Sequence, residues 1–238
     1  MGGIKGGVFA KPEAFSLSFV ENLTHSSAMI DRILAKRIVP VVVLDCVESA
    51  EPLAEALLEG GLDIMEITFR TAAAEESIKR IAARYPEILL GAGTLLEMEQ
   101  VQRAKDAGAV FGLAPGLNPS IIAAAKEIGL QFSPGVMTPS DVELALSLGC
   151  KLLKFFPAEA AGGVNMLKAL AGPYAHTGVK FIPTGGVSSG NLADYLKLPV
   201  VAAIGGSWMV DKQLVNEGKW KEITRITREA LSAAEAAR

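Results

Sequence analysis

The chain has 238 residues, of which half are hydrophobic and 24 are glycine, and its net charge of −3 comes from 23 basic and 26 acidic residues spread along its length. It has no basic stripe with interleaved aromatic residues and no run approaching the ~18 apolar residues of a membrane span, so neither nucleic acid nor a membrane is an expected partner. The two cysteines, Cys46 and Cys150, form no disulfide framework, and a reducing, cytoplasmic location is expected.

The first 30 residues differ in character from the rest of the chain. The stretch "MGGIKGG" is small and polar, and "AFSLSFVENLTHSSAM" carries no sustained period. An export signal would need a longer apolar region. The sequence therefore predicts an N-terminal extension over residues 1–30, followed by one domain over residues 31–238.

From Ile38 onward, short apolar, β-branched runs alternate with amphipathic helical stretches. The runs predicted as strands are "IVPVVVL" (38–44), "LDIMEIT" (62–68), "ILLGAG" (88–93), "AVFGLAP" (109–115), "LQFSPG" (130–135), "KLLKFFP" (151–157), "KFIPTGG" (180–186) and "VVAAIGG" (200–206). Strands that alternate with helices in this way are typical of βα units around a parallel sheet.

The intervening helices have recognisable ends. "NPSIIAAAKEIG" begins at Asn118 as N-cap with proline in the first turn, and "TPSDVELALSLG" repeats that design at Thr138. Both stretches end on a glycine, and Gly60 and Gly108 are predicted to close two further helices. A last helix is predicted over about residues 217–236, with one apolar stripe suited to covering the sheet.

Eight βα units in a chain of this length predict a (β/α)8 barrel in the α/β class. A doubly wound open sheet is the rival fold, and it usually carries a glycine-rich loop after its first strand. Here the first strand is followed by "DCVESAEP", which has no glycine. "GAGTLL" at 91–96 begins like a dinucleotide fingerprint but has leucine at its sixth position, and no phosphate loop of the GxxxxGK type is present.

Lys154 stands in the apolar run "KLLKFFPAE", where its neighbours indicate an interior position. If its side chain points into the barrel, desolvation disfavours the ammonium form. A neutral amine attacks carbonyl carbon and forms a Schiff base, whose iminium ion withdraws electrons from a neighbouring bond. The competing interpretation is a structural lysine paired with Glu66 alone.

Three further polar residues follow the second and third strands. Glu66 in "EITFRT" is a carboxylate in apolar company, which suits a proton shuttle, unless it faces outward to solvent. Arg70 carries a planar fork that holds a carboxylate or phosphate through two bonds, unless it is an ordinary loop arginine. Thr94 in "GAGT" offers a hydroxyl to a ligand, but it could equally cap a helix.

The last two strands end in "PTGGVSSGN" and "GGSWM". Barrels commonly bind phosphate with backbone N–H groups in these loops. The absence of side chains at the loop glycines would leave room for an anion, and a serine hydroxyl could donate to it. The candidate residues are Gly185, Gly186, Gly205, Gly206 and Ser207. Glycines at strand ends are also ordinary turn residues, so the pattern favours an anion site without requiring one.

Metal chemistry is not predicted. The chain has two histidines: His25 lies in the extension and His176 precedes the seventh strand, at the end opposite the predicted site. A metal-dependent aldolase or epimerase would normally need several imidazole ligands. Two other functions stay open from the residues alone: a metal-free sugar-phosphate isomerase or epimerase with Glu66 as base, and a catalytically idle barrel used as an assembly scaffold.

The motifs "EITFRT", "GAGT", "APGLNP", "PGVMTPSD", "LLKFFPAE", "PTGGV" and "IGGSW" resemble those of the 2-keto-3-deoxy-6-phosphogluconate (KDPG) aldolases, also called 4-hydroxy-2-oxoglutarate (KHG) aldolases, over about residues 30–235. The resemblance implies a class I aldolase without cofactor that cleaves KDPG to pyruvate and glyceraldehyde 3-phosphate, the closing step of the Entner–Doudoroff pathway. It also implies activity on KHG, which gives pyruvate and glyoxylate. Family members are usually homotrimers.

The resemblance also implies a role for each motif residue. Lys154 would form the Schiff base, and Glu66 would act as general acid and base, through water. Arg70 and Thr94 would hold the substrate carboxylate, and Pro115 and Phe156 would shape the pocket. Thr184 would face the hydroxyl end of the substrate. The phosphate would be bound by Gly185, Gly186, Gly206 and Ser207. Leu44 lies where some relatives acting on the galactonate isomer carry arginine, which weakly favours the gluconate substrate.

Overall fold

A computed structural model describes residues 29–237, in which parallel strands alternate with helices. The strands are β1 (Ile38–Val42), β2 (Ile64–Thr68), β3 (Leu89–Gly93), β4 (Phe111–Leu113), β5 (Gln131–Ser133), β6 (Gly135–Val136), β7 (Leu152–Phe155), β8 (Lys180–Pro183) and β9 (Ile204–Gly206). The α-helices are α1 (residues 29–36), α2 (Ala50–Glu59), α3 (Ala74–Arg84), α4 (Met98–Asp106), α5 (Pro119–Glu127), α6 (Pro139–Ser147), α7 (Gly163–Ala171), α8 (Leu192–Leu196), α9 (Lys212–Asn216) and α10 (Trp220–Ala236).

The strands form two parallel sheets. One has six strands in the order β5-β4-β3-β2-β1-β9, and the other has three in the order β6-β7-β8. Two parallel bridges connect the sheets beside β8 and β9, Phe181 with Val201 and Thr184 with Gly205. The chain therefore has an α/β fold built on parallel strands, whose carboxyl ends lie at one edge.

Each predicted strand stretch contains a strand, but the fifth is divided. β5 ends before Pro134 and β6 begins after it. Proline has no N–H to donate to a ladder, so the pairing is interrupted there. The Pro134 carbonyl still accepts a hydrogen bond of 2.9 Å from the Lys154 N–H, which keeps β7 alongside the break.

The predicted helix starts at Asn118 and Thr138 are confirmed. The Asn118 side chain accepts a hydrogen bond of 3.0 Å from the Ser120 N–H. Thr138 forms a capping box with Asp141, in which each side chain bonds to the other's backbone N–H. Such caps satisfy N–H groups that the first turn of a helix leaves unpaired.

The final helix begins later than predicted, at Trp220 rather than at about residue 217. Gly218 has a φ of 65°, which lies in the left-handed region and cannot continue a right-handed helix. The residues before it form the separate short helix α9. The pattern of apolar residues did not predict this helix break, because the break depends on the backbone angle of Gly218.

The core lies between the strands and the surrounding helices. All five residues of β2 and all five of β3 are buried. Gly60 is the C-cap of α2, as predicted, and it also allows a close approach, since a Cβ there would lie 2.7 Å from Thr227 on α10. Within residues 29–237 no helix is both long and apolar enough to cross a membrane.

Candidate active site

Lys154 on β7 and Glu66 on β2 meet inside the fold. The Lys154 Nζ lies 3.2 Å from the Glu66 Oε1, although 88 residues separate them in sequence. Lys154 is 4% exposed and Glu66 is 1% exposed. The lysine side chain therefore points inward from its apolar run and does not extend to solvent.

A glycine makes room for the Glu66 carboxylate. A Cβ at Gly93 would lie 1.8 Å from the Glu66 Oε1, a distance that no side chain could tolerate. Gly93 is the last residue of β3, next to β2 in the sheet. Sequence reasoning missed this role, although a glycine inside a strand pattern often marks close approach of another group.

The pair has two charge states with different chemistry. As ammonium and carboxylate, the partners compensate each other's burial, which would be costly for either ion alone. Transfer of one proton from Nζ to Oε1 leaves a neutral amine beside a carboxylic acid. That second state combines a nucleophile with a proton donor within hydrogen-bond distance, as covalent catalysis at a carbonyl carbon requires.

Arg70 and Thr94 lie just beyond the carboxyl ends of β2 and β3. The Arg70 side chain is exposed, and among residues 29–237 it has no hydrogen-bonding or ionic partner. Its five N–H donors are thus available to an anion. Thr94 is half-buried and has a φ of 57°, which is unusual for a β-branched residue and often marks a functional position.

Phe156 lies beside the amine, and Pro115 lies in the loop after β4. The Phe156 ring centroid lies 5.8 Å from the Lys154 Nζ. The Pro115 carbonyl oxygen comes to 2.1 Å from the position that a Cβ at Gly135 would occupy. This glycine lets the loop after β4 approach β6, where Gly135 pairs with Lys154 on the neighbouring strand β7.

The glycine loops after β8 and β9 are neighbours, because Thr184 bridges to Gly205. Gly185 and Gly186 have φ values of 96° and 82°, which L-residues with side chains rarely adopt. Thr184 is 6% exposed, and its hydroxyl lies 2.1 Å from where a Cβ at Gly205 would be.

The two remaining loop positions differ from each other. A Cβ at Gly206 would lie 1.9 Å from the Trp208 ring, so packing of that indole already requires glycine there. Ser207 is exposed and its hydroxyl faces no competing partner within the described residues. Close packing within the protein therefore also explains why positions 205 and 206 are glycine, besides the space that they would leave for an anion.

His176 lies in a short 3-10 helix (Gly172–Thr177) ahead of β8, at the end of the strands opposite Lys154, and it is exposed. His25 falls outside the described residues. Among residues 29–237 no three histidine, cysteine, aspartate or glutamate side chains are grouped closely enough to hold a metal ion. Cys46 and Cys150 are both free thiols.

Comparison with known proteins relates this geometry to characterised families. Residues 29–226 match the family model for KDPG and KHG aldolase. The 2-dehydro-3-deoxy-phosphogluconate aldolase of Haemophilus influenzae is 45% identical over 203 residues, which cover 85% of this chain and 95% of that protein. The KHG/KDPG aldolase of Escherichia coli K12 is 44% identical over 197 residues, covering 83% and 92%.

Solved structures give the same relationship. The KDPG aldolase of Legionella pneumophila, with pyruvate captured as a covalent carbinolamine intermediate, superposes with a TM-score of 0.80 at 38% identity, covering 84% of this chain and 96% of that one. The family resemblance carried by the sequence motifs is thereby confirmed. The chain belongs to the KDPG and KHG aldolase family.

Proposed function

We propose that the protein is a class I aldolase, a carbon–carbon lyase that cleaves KDPG to pyruvate and glyceraldehyde 3-phosphate and also cleaves KHG to pyruvate and glyoxylate. The observation that carries the proposal is the buried Lys154 amine, 3.2 Å from the Glu66 carboxylate. The names of the Haemophilus and Escherichia relatives, and the carbinolamine of the Legionella enzyme, support the same chemistry.

The reaction begins when the neutral Lys154 amine attacks the keto carbon of the substrate. The carbinolamine loses water with a proton from Glu66 and becomes an iminium ion. The C3–C4 bond then breaks, its electron pair moves into the iminium to form an enamine, and the proton of the C4 hydroxyl passes to the Glu66 carboxylate. The aldehyde product leaves, and Glu66 gives its new proton to C3 of the enamine. Water then hydrolyses the iminium, which releases pyruvate, regenerates the neutral lysine and returns a proton to Glu66.

The remaining site residues bind the substrate at its two ends. Arg70 offers a bidentate fork to the carboxylate, and Thr94 adds its hydroxyl. Pro115 and Phe156 shape the walls near the amine, and Thr184 faces the hydroxyl end. The phosphate is held by the loops after β8 and β9, through Gly185, Gly186, Gly206 and Ser207.

We infer further that the strands close into a (β/α)8 barrel, in which β5 and β6 count as one interrupted strand. Support comes from the bridges between the two sheets and from the hydrogen bond of 3.1 Å between the Gly135 N–H and the Gly116 carbonyl beside β4. In this proposal residues 31–238 are the catalytic domain and residues 1–30 an extension.

A cytoplasmic homotrimer is proposed from the family resemblance. Light scattering on the purified protein should then give a mass three times that of the 24.9 kDa chain. A mass equal to that of one chain at micromolar concentration would contradict the trimer.

Reduction with borohydride in the presence of pyruvate tests the Schiff base. We expect one reduced pyruvyl adduct on Lys154, located by mass spectrometry of a digest. Lys154→Arg should abolish the adduct and turnover, because guanidinium is not a nucleophile. Lys151→Arg, at the exposed lysine three residues earlier, is the matched control and should label normally. Normal turnover by Lys154→Arg would refute the aldolase mechanism and favour an isomerase or epimerase.

Glu66→Gln tests proton transfer separately. Glutamine keeps the size of the side chain but cannot exchange a proton, so we expect kcat to fall on the order of 10²- to 10⁴-fold with a small change in KM. Steady-state kinetics with KDPG measure both constants. Unchanged kcat would mean that another group moves the proton.

A further inference from the structure

The loop that follows Lys154 is attached to the glycine loop after β8. The Ala158 N–H donates to the Thr184 carbonyl at 2.8 Å, and the Glu159 N–H donates to the Gly185 carbonyl at 3.0 Å. The Glu159 side chain lies against the next residue, since a Cβ at Gly186 would come to 2.6 Å from its Cβ and Cγ. Glu159 ends the "KFFPAE" motif, and nothing in the proposed reaction uses it.

The Glu159 carboxylate is held from the far side by α8. Tyr195 on α8 is fully buried, and its hydroxyl donates to the Glu159 Oε1. Burial, together with the hydrogen bond and the negative charge of Glu159, raises the pKa of Tyr195 above its ordinary value, so the phenol stays a donor across the working pH range.

Asn191 forms hydrogen bonds to the same glycine loop from its other side. The Asn191 Nδ2 donates to the Gly186 carbonyl at 3.1 Å, and its Oδ1 accepts from the Ser188 N–H at 2.8 Å. Gly186 thus lies between Glu159 and Asn191. The consecutive left-handed glycines would otherwise be the most freely moving backbone of the site, because glycine has the largest conformational entropy to lose.

We propose that Glu159 is a positioning residue for the phosphate end of the substrate, which rests on the function proposed above. Through its contact with Gly186 and its bond to Tyr195, it holds the glycine loop in the shape that aims its N–H groups at the phosphate. A carboxylate repels a phosphate and is a poor direct ligand for it, which fits a residue that acts through the loop. Preorganised donors bind an anion without a further entropy cost.

Kinetics with both keto acids test the proposal. Glu159→Ala should raise KM for phosphorylated KDPG by about tenfold, leave kcat within about twofold, and leave KM for unphosphorylated KHG unchanged. Glu159→Gln should raise KM for KDPG much less than Glu159→Ala does, because its amide oxygen can accept from the Tyr195 hydroxyl. Tyr195→Phe removes the hydroxyl donor and should also raise KM for KDPG while leaving KM for KHG unchanged.

Glu143 and Tyr174 provide the matched control. The Tyr174 hydroxyl donates to the Glu143 Oε1 at 3.0 Å, between α6 and the 3-10 helix before β8, and within residues 29–237 neither side chain is hydrogen-bonded to the glycine loops. Glu143→Ala and Tyr174→Phe should leave both KM values unchanged. An equal rise in KM for both substrates in Glu159→Ala, or no rise in KM for KDPG, would overturn the positioning role.

Borohydride trapping of pyruvate in the same preparations separates this proposal from the function itself. Wild type and all five variants should label Lys154, since none of the changes touches the amine. Wild type that labels, combined with a non-selective Glu159→Ala, would refute the positioning role alone. Wild type that neither labels nor cleaves KDPG would refute the aldolase function on which it rests.

Discussion

Gly93 controls the position of the Glu66 carboxylate at the scale of single residues. A methyl group in Gly93→Ala would lie 1.8 Å from the Glu66 Oε1, so the carboxylate must leave the position in which it lies 3.2 Å from the Lys154 Nζ. A displacement of about 1 Å in a reacting group costs on the order of 10²-fold in rate, and we expect kcat to fall by at least that factor. Steady-state kinetics and thermal melting measure the outcome.

Gly172→Ala is the control for this substitution, because a Cβ there has no neighbour within 4 Å. It should leave kcat and the melting temperature unchanged. If Gly93→Ala retained wild-type kcat, the contact between Glu66 and Lys154 would not be needed for turnover.

Thr94 holds a backbone angle that favours glycine, with a φ of 57°. A left-handed residue with a Cβ costs about 1–2 kcal/mol, and glycine removes that cost while losing about 0.5–1 kcal/mol of its own. Thr94→Gly should therefore be at least as stable as wild type, whereas Thr94→Ala should be less stable than Thr94→Gly. Both should raise KM for KDPG because both lose the hydroxyl.

Urea denaturation and kinetics of these two variants check the argument. Equal KM for wild type and both variants would remove Thr94 from carboxylate binding. A Thr94→Gly protein less stable than Thr94→Ala would show that the backbone there carries no strain.

At the scale of secondary-structure elements, the start of α6 depends on Asp141. Burial of this carboxyl opposes its ionisation, but the N–H groups of Met137 and Thr138 and the Thr138 hydroxyl outweigh it and lower the pKa below its usual value. A lowered pKa in the folded state adds stability that is present above the unfolded value of about 3.9 and is lost as pH falls through the folded value.

Asp141→Asn should accordingly lose more stability at pH 7 than at pH 3, when compared with wild type at each pH. Urea denaturation across this range measures the difference, with a loss of about 1 kcal/mol at pH 7 for a weakened cap. Ser140→Ala, at an exposed residue in the same turn, should show no such pH dependence. A difference that stayed constant from pH 3 to pH 7 would contradict the role of the Asp141 charge.

Local sequence predicts some ends of the helices and strands but not others. Asn118 and Thr138 are caps that bond to residues two or three positions away, so their roles are visible in the sequence. The break at Pro134 and the left-handed Gly218 alter elements through the requirements of pairing and backbone angle. Gly60 serves a contact with α10 that lies far along the chain.

At the scale of the whole molecule, the two sheets meet where Thr184 bridges to Gly205. A Cβ in Gly205→Ala would lie 2.1 Å from the Thr184 Oγ1, which forces the bridge apart. Overpacking of this kind typically costs about 1–3 kcal/mol in the free energy of unfolding. Urea denaturation should show that loss in one cooperative transition.

Thr184→Ala combined with Gly205→Ala provides the internal control, because it removes the clashing oxygen. We expect the double variant to be more stable than the sum of the single losses predicts, as for any pair in direct contact. Additive losses would mean that this contact does not connect the sheets.

The sequence by itself determined the alternation of strands and helices, the main helix caps, and the residue types of the candidate site. These features depend on period, on neighbouring residues, or on motifs that can be read along the chain. Lys154 could be recognised because an ammonium group in an apolar run is costly, whatever fold surrounds it.

Only the tertiary structure decided which of these residues meet. The contact of Lys154 with Glu66, the space left by Gly93 and the bond from Tyr195 to Glu159 join residues that are distant in sequence. Such contacts depend on strand register and side-chain packing, where a shift of one residue turns a side chain to the opposite face of the sheet. The physical reason is that local patterns specify the face of an element, while the packing of all elements sets the distances between faces.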